Sequence, residues 1–178
     1  MMGAVCWSLT LPLLLGAVQD DLPAGWEVYA SKDGRFTVHM PKEPMAPKKQ
    51  VVRTKTGDLN VTLVIAEGRH DSYFVVSYSD FPPADLKKSE EVKRLDHACN
   101  GAAEKCRGKP REEKSIKLND RYAGREFFID KDGAVIAKVR IYLVENRLYQ
   151  VMVLGNGPIF SSKEKDVGIF LDSFRLNK

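Results

Sequence analysis

The chain has 178 residues, of which 43% are hydrophobic and 29% are charged. These fractions are those of an ordinary globular protein, and they argue against a disordered chain. The net charge of +4 comes from 28 basic and 24 acidic residues that are interspersed along the sequence. The concentrated positive field of a nucleic-acid-binding protein is therefore missing, and we expect no nucleic-acid partner.

The N-terminus carries an apolar run over residues 5–18, which contains Pro12 and is followed directly by polar residues. The run is shorter than the roughly twenty apolar residues that cross a bilayer, so it is typical of the core of a signal peptide. Gly16 and Ala17 are small residues suited to cleavage. We predict a signal peptide over residues 1–18, export to the periplasm or the medium, and a domain over residues 19–178 without a transmembrane anchor.

The remaining chain of about 160 residues is long enough for one domain with a full core. Seven or eight strands, the first of which is a strand or only the approach to one, are predicted by short alternating or β-branched runs that turn residues separate. The runs cover residues 26–29, 35–40, 51–55, 59–66, 72–78, 116–118, 122–129, 134–144 and 147–154. Turn signals such as Asp132-Gly133 join neighbouring strands by short hairpins, which favours an antiparallel sheet.

Two amphipathic helices complete the pattern. The first begins at the N-cap Ser89 and ends before Gly108 and Pro110. Its apolar stripe consists of Val92, Leu95, Cys99, Ala102 and Cys106. The second opens with a capping-box pattern over residues 161–164, and its apolar face consists of Val167, Phe170, Leu171 and Phe174. The predicted fold class is a single α+β domain with an antiparallel sheet flanked by helices.

Three cysteines are present, and Cys6 would leave with the signal peptide. Cys99 and Cys106 are an even pair, which in an oxidising compartment favours a disulfide. Seven residues apart on one helix, however, their Cα atoms would lie about 10 Å apart, beyond bridging distance. We interpret both as small apolar residues in or near the core.

The hairpin over residues 134–154 carries the best candidate for a binding surface. With a two-residue turn at Glu145-Asn146, one face is almost wholly apolar and belongs to the core. The opposite face places basic groups beside paired tyrosines, a composition typical of partner contacts. The candidate partner-binding residues are Lys138, Arg140, Tyr142, Arg147 and Tyr149. The competing interpretation is that the second helix covers the end of this face at Val151 and Val153, while the lysine and arginine side chains reach past its edge to solvent.

No pattern of catalytic or cofactor-binding residues is recognisable. The histidines at positions 39, 70 and 97 are far apart and form no metal-binding motif, and no nucleophile-elbow or phosphate-loop motif occurs. The run from Asp130 to Gly133 resembles the start of a calcium loop but lacks the later ligands, so a hairpin turn explains it better. Asn60-Val61-Thr62 is a glycosylation sequon within a predicted strand. We predict no metal, cofactor or catalytic residue.

Both ends of the domain resemble the PsbP-like (Mog/PsbP) superfamily. WEVY at 26–29 and DGRFTVHMP at 33–41 are similar to its opening strands, and FLDSFRL at 170–176 is similar to its closing helix. RIYL at 140–143 with RLYQV at 147–151 is similar to its late hairpin. The resemblance implies an α-β-α sandwich, as in the extrinsic photosystem II subunits and the Ran-binding members of the superfamily. It carries over no functional residue, and the predicted leader, which is unlike a chloroplast transit peptide, indicates an exported bacterial member.

These observations favour an exported, non-enzymatic binding or accessory module that contacts a protein or envelope partner. The alternative is an exported small-ligand-binding or hydrolytic domain whose site is assembled from residues distant in sequence. A deep pocket lined by convergent polar side chains would favour the alternative.

Overall fold

The computed structural model describes residues 22–54, 57–82, 90–161 and 165–177. The predicted signal peptide over residues 1–18 and the predicted N-cap Ser89 lie outside these ranges, as do residues 162–164 of the predicted capping box. Among the described residues, no helix is long and apolar enough to cross a membrane.

Ten β-strands, two α-helices and one 3₁₀ helix make up the described chain. The strands are β1 (Glu27–Ser31), β2 (Phe36–Met40), β3 (Lys48–Thr54), β4 (Gly57–Glu67), β5 (Tyr73–Asp80), β6 (Lys109–Leu118), β7 (Tyr122–Lys131), β8 (Ala134–Val144), β9 (Arg147–Leu154) and β10 (Arg175–Leu176). The helices are α1 (Glu91–Lys105), α2 (Asp166–Ser173) and the 3₁₀ helix Gly157–Phe160.

The strands form two antiparallel sheets. The larger has seven strands in the order β3-β4-β5-β9-β8-β7-β6, and the smaller has three in the order β1-β2-β10. The predicted α+β fold with an antiparallel sheet and flanking helices is therefore confirmed. Short hairpins connect most neighbours because the turn residues adopt left-handed backbone conformations. Asp132 and Gly133, for example, have φ of 54° and 85°, as a type I′ hairpin turn requires.

The large sheet is covered on both faces at its centre. On one face, Leu95, Cys99 and Ala102 of α1 pack against inward residues of β7 and β8, such as Phe127 and Val139. On the other face, the small sheet, the 3₁₀ helix and α2 enclose an aromatic core. That core includes Trp26, Phe36, Phe74, Tyr142, Tyr149, Phe170 and Phe174. Burial on both faces explains why the central strands β8 and β9 carry few polar side chains.

The first helix differs in detail from its prediction. Leu95, Cys99 and Ala102 are buried as predicted, but Val92 is 54% exposed. Val92 lies in the first turn of α1, and the packed residues of the helix begin one turn later. Cys106 is half-buried at the C-cap, and both Cys99 and Cys106 are free thiols.

The second helix confirms its predicted packing face, because Val167, Phe170, Leu171 and Phe174 are all buried. Phe174 is the C-cap of α2 and lies between the two sheets. Its ring centroid is 5.5 Å from that of Phe36 in the small sheet and 5.4 Å from that of Tyr149 in the large one. The end of α2 therefore joins the two sheets through aromatic contacts.

Candidate functional site

The predicted hairpin register is confirmed, and it places the two tyrosines of the candidate surface in the core. Tyr142 pairs with Tyr149 across β8 and β9, and they are only 4% and 1% exposed. The ring of Phe174 stacks on Tyr142 at 5.9 Å with an interplanar angle of 6°. The Tyr149 hydroxyl donates a 2.7 Å hydrogen bond to the carbonyl oxygen of Gly34. Both tyrosines therefore lie in the core between the two sheets.

Burial raises the pKa of both tyrosines, because a phenolate would lose hydration in the core. Hydrogen bonding and charge from Arg140 oppose this shift at Tyr142, and Arg147 opposes it at Tyr149. The two hydroxyls therefore remain protonated donors at neutral pH.

Arg147 fastens the β8–β9 turn to two other parts of the chain. Its Nε and Nη2 donate to the two carboxylate oxygens of Asp80 at 2.6 and 2.7 Å. Its Nη1 donates to the carbonyl oxygen of Asp33 at 2.8 Å, and the guanidinium lies 5.0 Å from the ring centroid of Tyr78. The hydrogen bonds between Arg147 and Asp80 stabilise the charged form of each partner. They lower the pKa of Asp80 and raise the pKa of Arg147. Arg147 thus stabilises the fold through contacts within the domain.

The Asp80–Arg147 pair predicts an acid-sensitive contribution to stability. Because the folded pKa of Asp80 lies below its ordinary value of 3.8, the contribution is complete above that value and is lost as the pH falls through the folded pKa. Asp80→Asn should lower the free energy of unfolding by about 0.5–1 kcal/mol at neutral pH, a small figure because the carboxylate is partly exposed. The difference from the wild type should shrink towards about pH 3. Urea unfolding across this range measures it.

Asp132→Asn is the matched control, since it keeps a turn residue that tolerates a left-handed backbone. It should leave the acid dependence unchanged. A loss for Asp80→Asn that is the same at all pH values would contradict the assignment of this pair.

Arg140 joins the end of α2 to β7. Its Nε donates to a carboxylate oxygen of Glu126 at 2.6 Å. Its Nη1 donates to the carbonyl oxygen of Leu171 at 2.9 Å and lies 2.7 Å from a carboxylate oxygen of Asp172. Burial disfavours the charge of Arg140, but the bonds to Glu126 and Asp172 and the nearby Tyr142 outweigh it and raise the pKa. Lys138 lies beside the same pair, 3.8 Å from Glu126.

A shallow cleft of about 310 Å³ opens beside Arg140. The turn between β6 and β7 forms one side, β8 forms the floor, and the end of α2 forms the other side. Its charged lining residues are Lys117, Asp120, Arg140, Asp172 and Arg175. Asn119 and Asp120 have φ of 52° and 55°, a left-handed conformation that Asn and Asp adopt more readily than most residues. This tight turn places Lys117 and Asp120 beside α2.

The cleft is suited to anionic groups more than to apolar ligands. Three cationic and two acidic side chains line it, and Arg140 is already paired with carboxylates. Lys117 and Arg175 are exposed. The hydrogen bonds from Arg175 to the carbonyl oxygens of Asp172 and Phe174 both use Nη1, and a guanidinium has five N–H donors. Lys117 and Arg175 can therefore meet a carboxylate or phosphate that approaches from solvent.

Lys117 and Arg175 were not among the residues predicted from the sequence. Lys117 is the next-to-last residue of the charged edge strand β6, and Arg175 follows the closing helix 58 positions later. No local pattern links them, because only the packing of α2 on the large sheet brings them to one cleft. Of the predicted residues, Arg140 and Tyr142 line this cleft. Arg147 and Tyr149 lie by the β1–β2 loop instead.

The remaining polar motifs of the sequence are the turn at Asp130, the glycosylation sequon and the potential metal-ligating side chains. The run at Asp130 is a hairpin turn, as predicted, in which the amide of Gly133 donates to the Asp130 carboxylate at 2.9 Å. Asn60 of the sequon is exposed on β4. Within the described ranges, no group of three or more His, Cys, Asp or Glu side chains is arranged to hold a metal ion.

The cysteines predict a further experimental result. Burial is the main cause that raises the pKa of the Cys99 thiol to about 12, and burial also raises that of Cys106. Since the thiolate is the reactive form, Cys99 should resist thiol reagents in the native protein at neutral pH and react after unfolding. Labelling of the Cys6→Ala/Cys106→Ala variant, in which Cys99 is the remaining one of the three cysteines, isolates Cys99 by intact mass. Fast native labelling of that variant would contradict the burial of Cys99.

Comparison with known proteins supports the fold. No family model matches the chain, and no curated protein matches it. The solution structure of cyanobacterial PsbP (CyanoP) from Synechocystis sp. PCC 6803 is similar, with a TM-score of 0.54 and 11% sequence identity. The similarity covers 91% of this chain and 98% of that one. It confirms the predicted PsbP-like α+β fold and, at this identity, extends to the fold alone.

Proposed function

We propose that this protein is an exported, non-enzymatic binding or accessory module that contacts a protein or envelope partner. The observation that carries the proposal is the cleft at the end of α2, where Lys117 and Arg175 lie exposed beside the paired Arg140. The cleft is open and shallow and presents charge at its rim. Such a surface suits an acidic group on a larger partner better than enclosure of a small substrate.

The chemistry of the surrounding groups also supports binding over catalysis. The two arginines of the predicted surface hold carboxylates and backbone carbonyls in place, and the two tyrosines are buried. Cys99 is buried with a raised pKa, which opposes a role as a nucleophile. The apolar run over residues 5–18 supports export.

Charge reversal at the cleft tests the proposal. The tagged protein is cross-linked in the compartment where it is found, and captured material is identified by mass spectrometry. Lys117→Glu/Arg175→Glu is the test variant, because Arg140 and Arg147 are held in structural ion pairs and their replacement would disturb the fold. Lys109→Glu/Lys131→Glu is the control, since both lysines are exposed and the charge change is the same.

The proposal expects one stoichiometric partner that is lost with the test variant and retained with the control. Capture of the protein alone, or equal capture by both variants, would contradict it. A small anionic ligand is the second candidate, because the cleft volume lies at the lower end of the range for ligand pockets. Calorimetric titration with small carboxylates and phosphates, with heat lost in the test variant only, would favour that candidate.

A further inference from the structure

We propose that the outer edge of β3 is a second binding site, which accepts an extended acidic segment of a partner protein as an added β-strand. The site is separate from the cleft, and the proposal goes beyond the function proposed above. The "β3 edge" denotes the side of Lys48–Thr54 that faces away from β4. In the described part of the chain, β3 lies at one edge of the seven-stranded sheet and pairs with β4 on one side.

The β3 edge is regular and accessible. β3 has seven residues and pairs with β4 from Lys48 to Thr54 without a register shift. Pairing between β4 and β5 begins only at Thr62, so the β3–β4 hairpin extends beyond the rest of the sheet. Val51, in the middle of β3, is 60% exposed. An edge strand of this kind presents unpaired backbone donors and acceptors to an incoming chain.

The opposite edge of the same sheet is protected against strand addition. β6 contains Pro110, which has no amide to donate. Its register shifts between Arg111 and Lys114, and Glu112 has a left-handed φ of 56°. Arg111 also pairs with Asp130 on the neighbouring strand at 2.9 Å. The proline, the register shift and the ion pair obstruct an added strand of any charge. β3 has no proline and no bulge, so the two edges differ in kind.

The charges of β3 determine which kind of strand can pair with the β3 edge. β3 carries three cationic side chains, Lys48, Lys49 and Arg53, and no acidic one. If two copies paired antiparallel about Val51, Lys49 of each would face Arg53 of the other, which is unfavourable. The charges therefore oppose self-association through this edge and favour an acidic strand. Asp58 of β4 lies opposite Arg53, which reduces the positive charge at that position and leaves the two lysines as the stronger contributors.

The spacing on β3 predicts the pattern of the added strand. Lys49, Val51 and Arg53 alternate, so their side chains share one face of the sheet. A complementary strand carries an acidic, an apolar and an acidic side chain at every second position. The backbone hydrogen bonds would supply affinity, and the alternating side chains would supply specificity.

Peptide binding to the purified protein tests the proposal. The probe is a fluorescent, end-capped peptide of threonines with glutamate, valine and glutamate at alternate central positions. Two comparison peptides carry lysine in place of glutamate, or proline in place of the central valine and of the threonine on either side of it. Lys48→Glu/Lys49→Glu/Arg53→Glu is the test variant. The control is Lys109→Glu/Lys114→Glu/Lys131→Glu, which makes the same charge change near the opposite edge.

Fluorescence anisotropy should show that the wild type and the control bind the acidic peptide, and that the test variant binds it at least about tenfold more weakly and prefers the lysine peptide. The proline peptide should bind the wild type weakly, because strand pairing needs its amides. This comparison needs no variant, so it holds even if the triple substitution disturbs folding. Equal binding of the proline peptide, no binding of the acidic peptide, or a dimer through β3 in sedimentation would overturn the proposal. Lys117→Glu/Arg175→Glu should leave peptide binding unchanged, which separates this site from the cleft.

Discussion

Replacement of Phe174 by alanine is expected to lower the free energy of unfolding by about 3–5 kcal/mol. Phe174 is 1% exposed, and its ring contacts Phe36, Tyr142 and Tyr149. Truncation would leave a cavity between the two sheets that the strands on either side cannot fill without losing their pairing. The loss is a large share of the total stability of an average domain. Urea unfolding followed by circular dichroism measures it.

Phe128→Ala provides the matched control, because Phe128 is the same residue type and is only half-buried on β7. Phe128→Ala should lower the free energy of unfolding by clearly less, about 1 kcal/mol, since less apolar surface returns to water. Equal losses for the two variants would contradict the central position assigned to Phe174.

Gly124→Ala is expected to destabilise the protein by about 2–3 kcal/mol. Gly124 lies on β7 opposite Tyr142 of β8. A Cβ at this position would lie 2.5 Å from the carbonyl oxygen of Ile141 and 2.6 Å from the Tyr142 ring. The carbonyl belongs to a central strand and cannot move without disturbing the ladder. The missing side chain thus makes room for the Tyr142 ring that stacks on Phe174.

Gly101→Ala tests the same substitution where the structure has space. Gly101 lies within α1, and a Cβ there would meet nothing within 4 Å. This variant should be more stable than the wild type by about 0.5–1 kcal/mol, because alanine favours the helix. The two variants should therefore shift the urea midpoint in opposite directions. Shifts of the same sign would contradict the packing described for Gly124.

The sequence predicts the sheet well where local chemistry determines it. Asp132-Gly133 can adopt the left-handed conformations of a tight turn, and Glu145-Asn146 sets the register that pairs Tyr142 with Tyr149. The apolar face of α2 is likewise explicit in its spacing. Each of these features depends on residues that are neighbours along the chain.

Features that depend on distant contacts could not be predicted in the same way. The first part of β6 is charged and carries Pro110, so it has no strand pattern, and its pairing with β7 creates the strand. β10 has two residues and exists because it pairs with β2. The sequence places basic groups beside Tyr142 and Tyr149 on one face of the hairpin, a composition typical of a binding surface. A hairpin pattern cannot reveal that a second sheet and α2 cover that face.

The candidate cleft also combines a residue that the local sequence predicts with residues that only distant contacts bring together. The place of Arg140 on β8 predicts it as a binding residue, and Arg140 does line the cleft. Lys117 and Arg175 enter only through the packing of α2 beside the β6–β7 turn. Their chemistry is ordinary for a solvated surface, so only their convergence distinguishes them.

Site-specific photo-cross-linking at position 117 tests the central claim, that the cleft contacts a partner, most directly. A photoreactive lysine analogue that keeps the ammonium group replaces Lys117 in one variant and the exposed Lys131 in the other. Both variants are irradiated in the compartment where the protein is found. The proposal predicts one adduct of defined mass from position 117 and none from position 131. No adduct at position 117, or the same adducts from both positions, would contradict a binding function for this cleft.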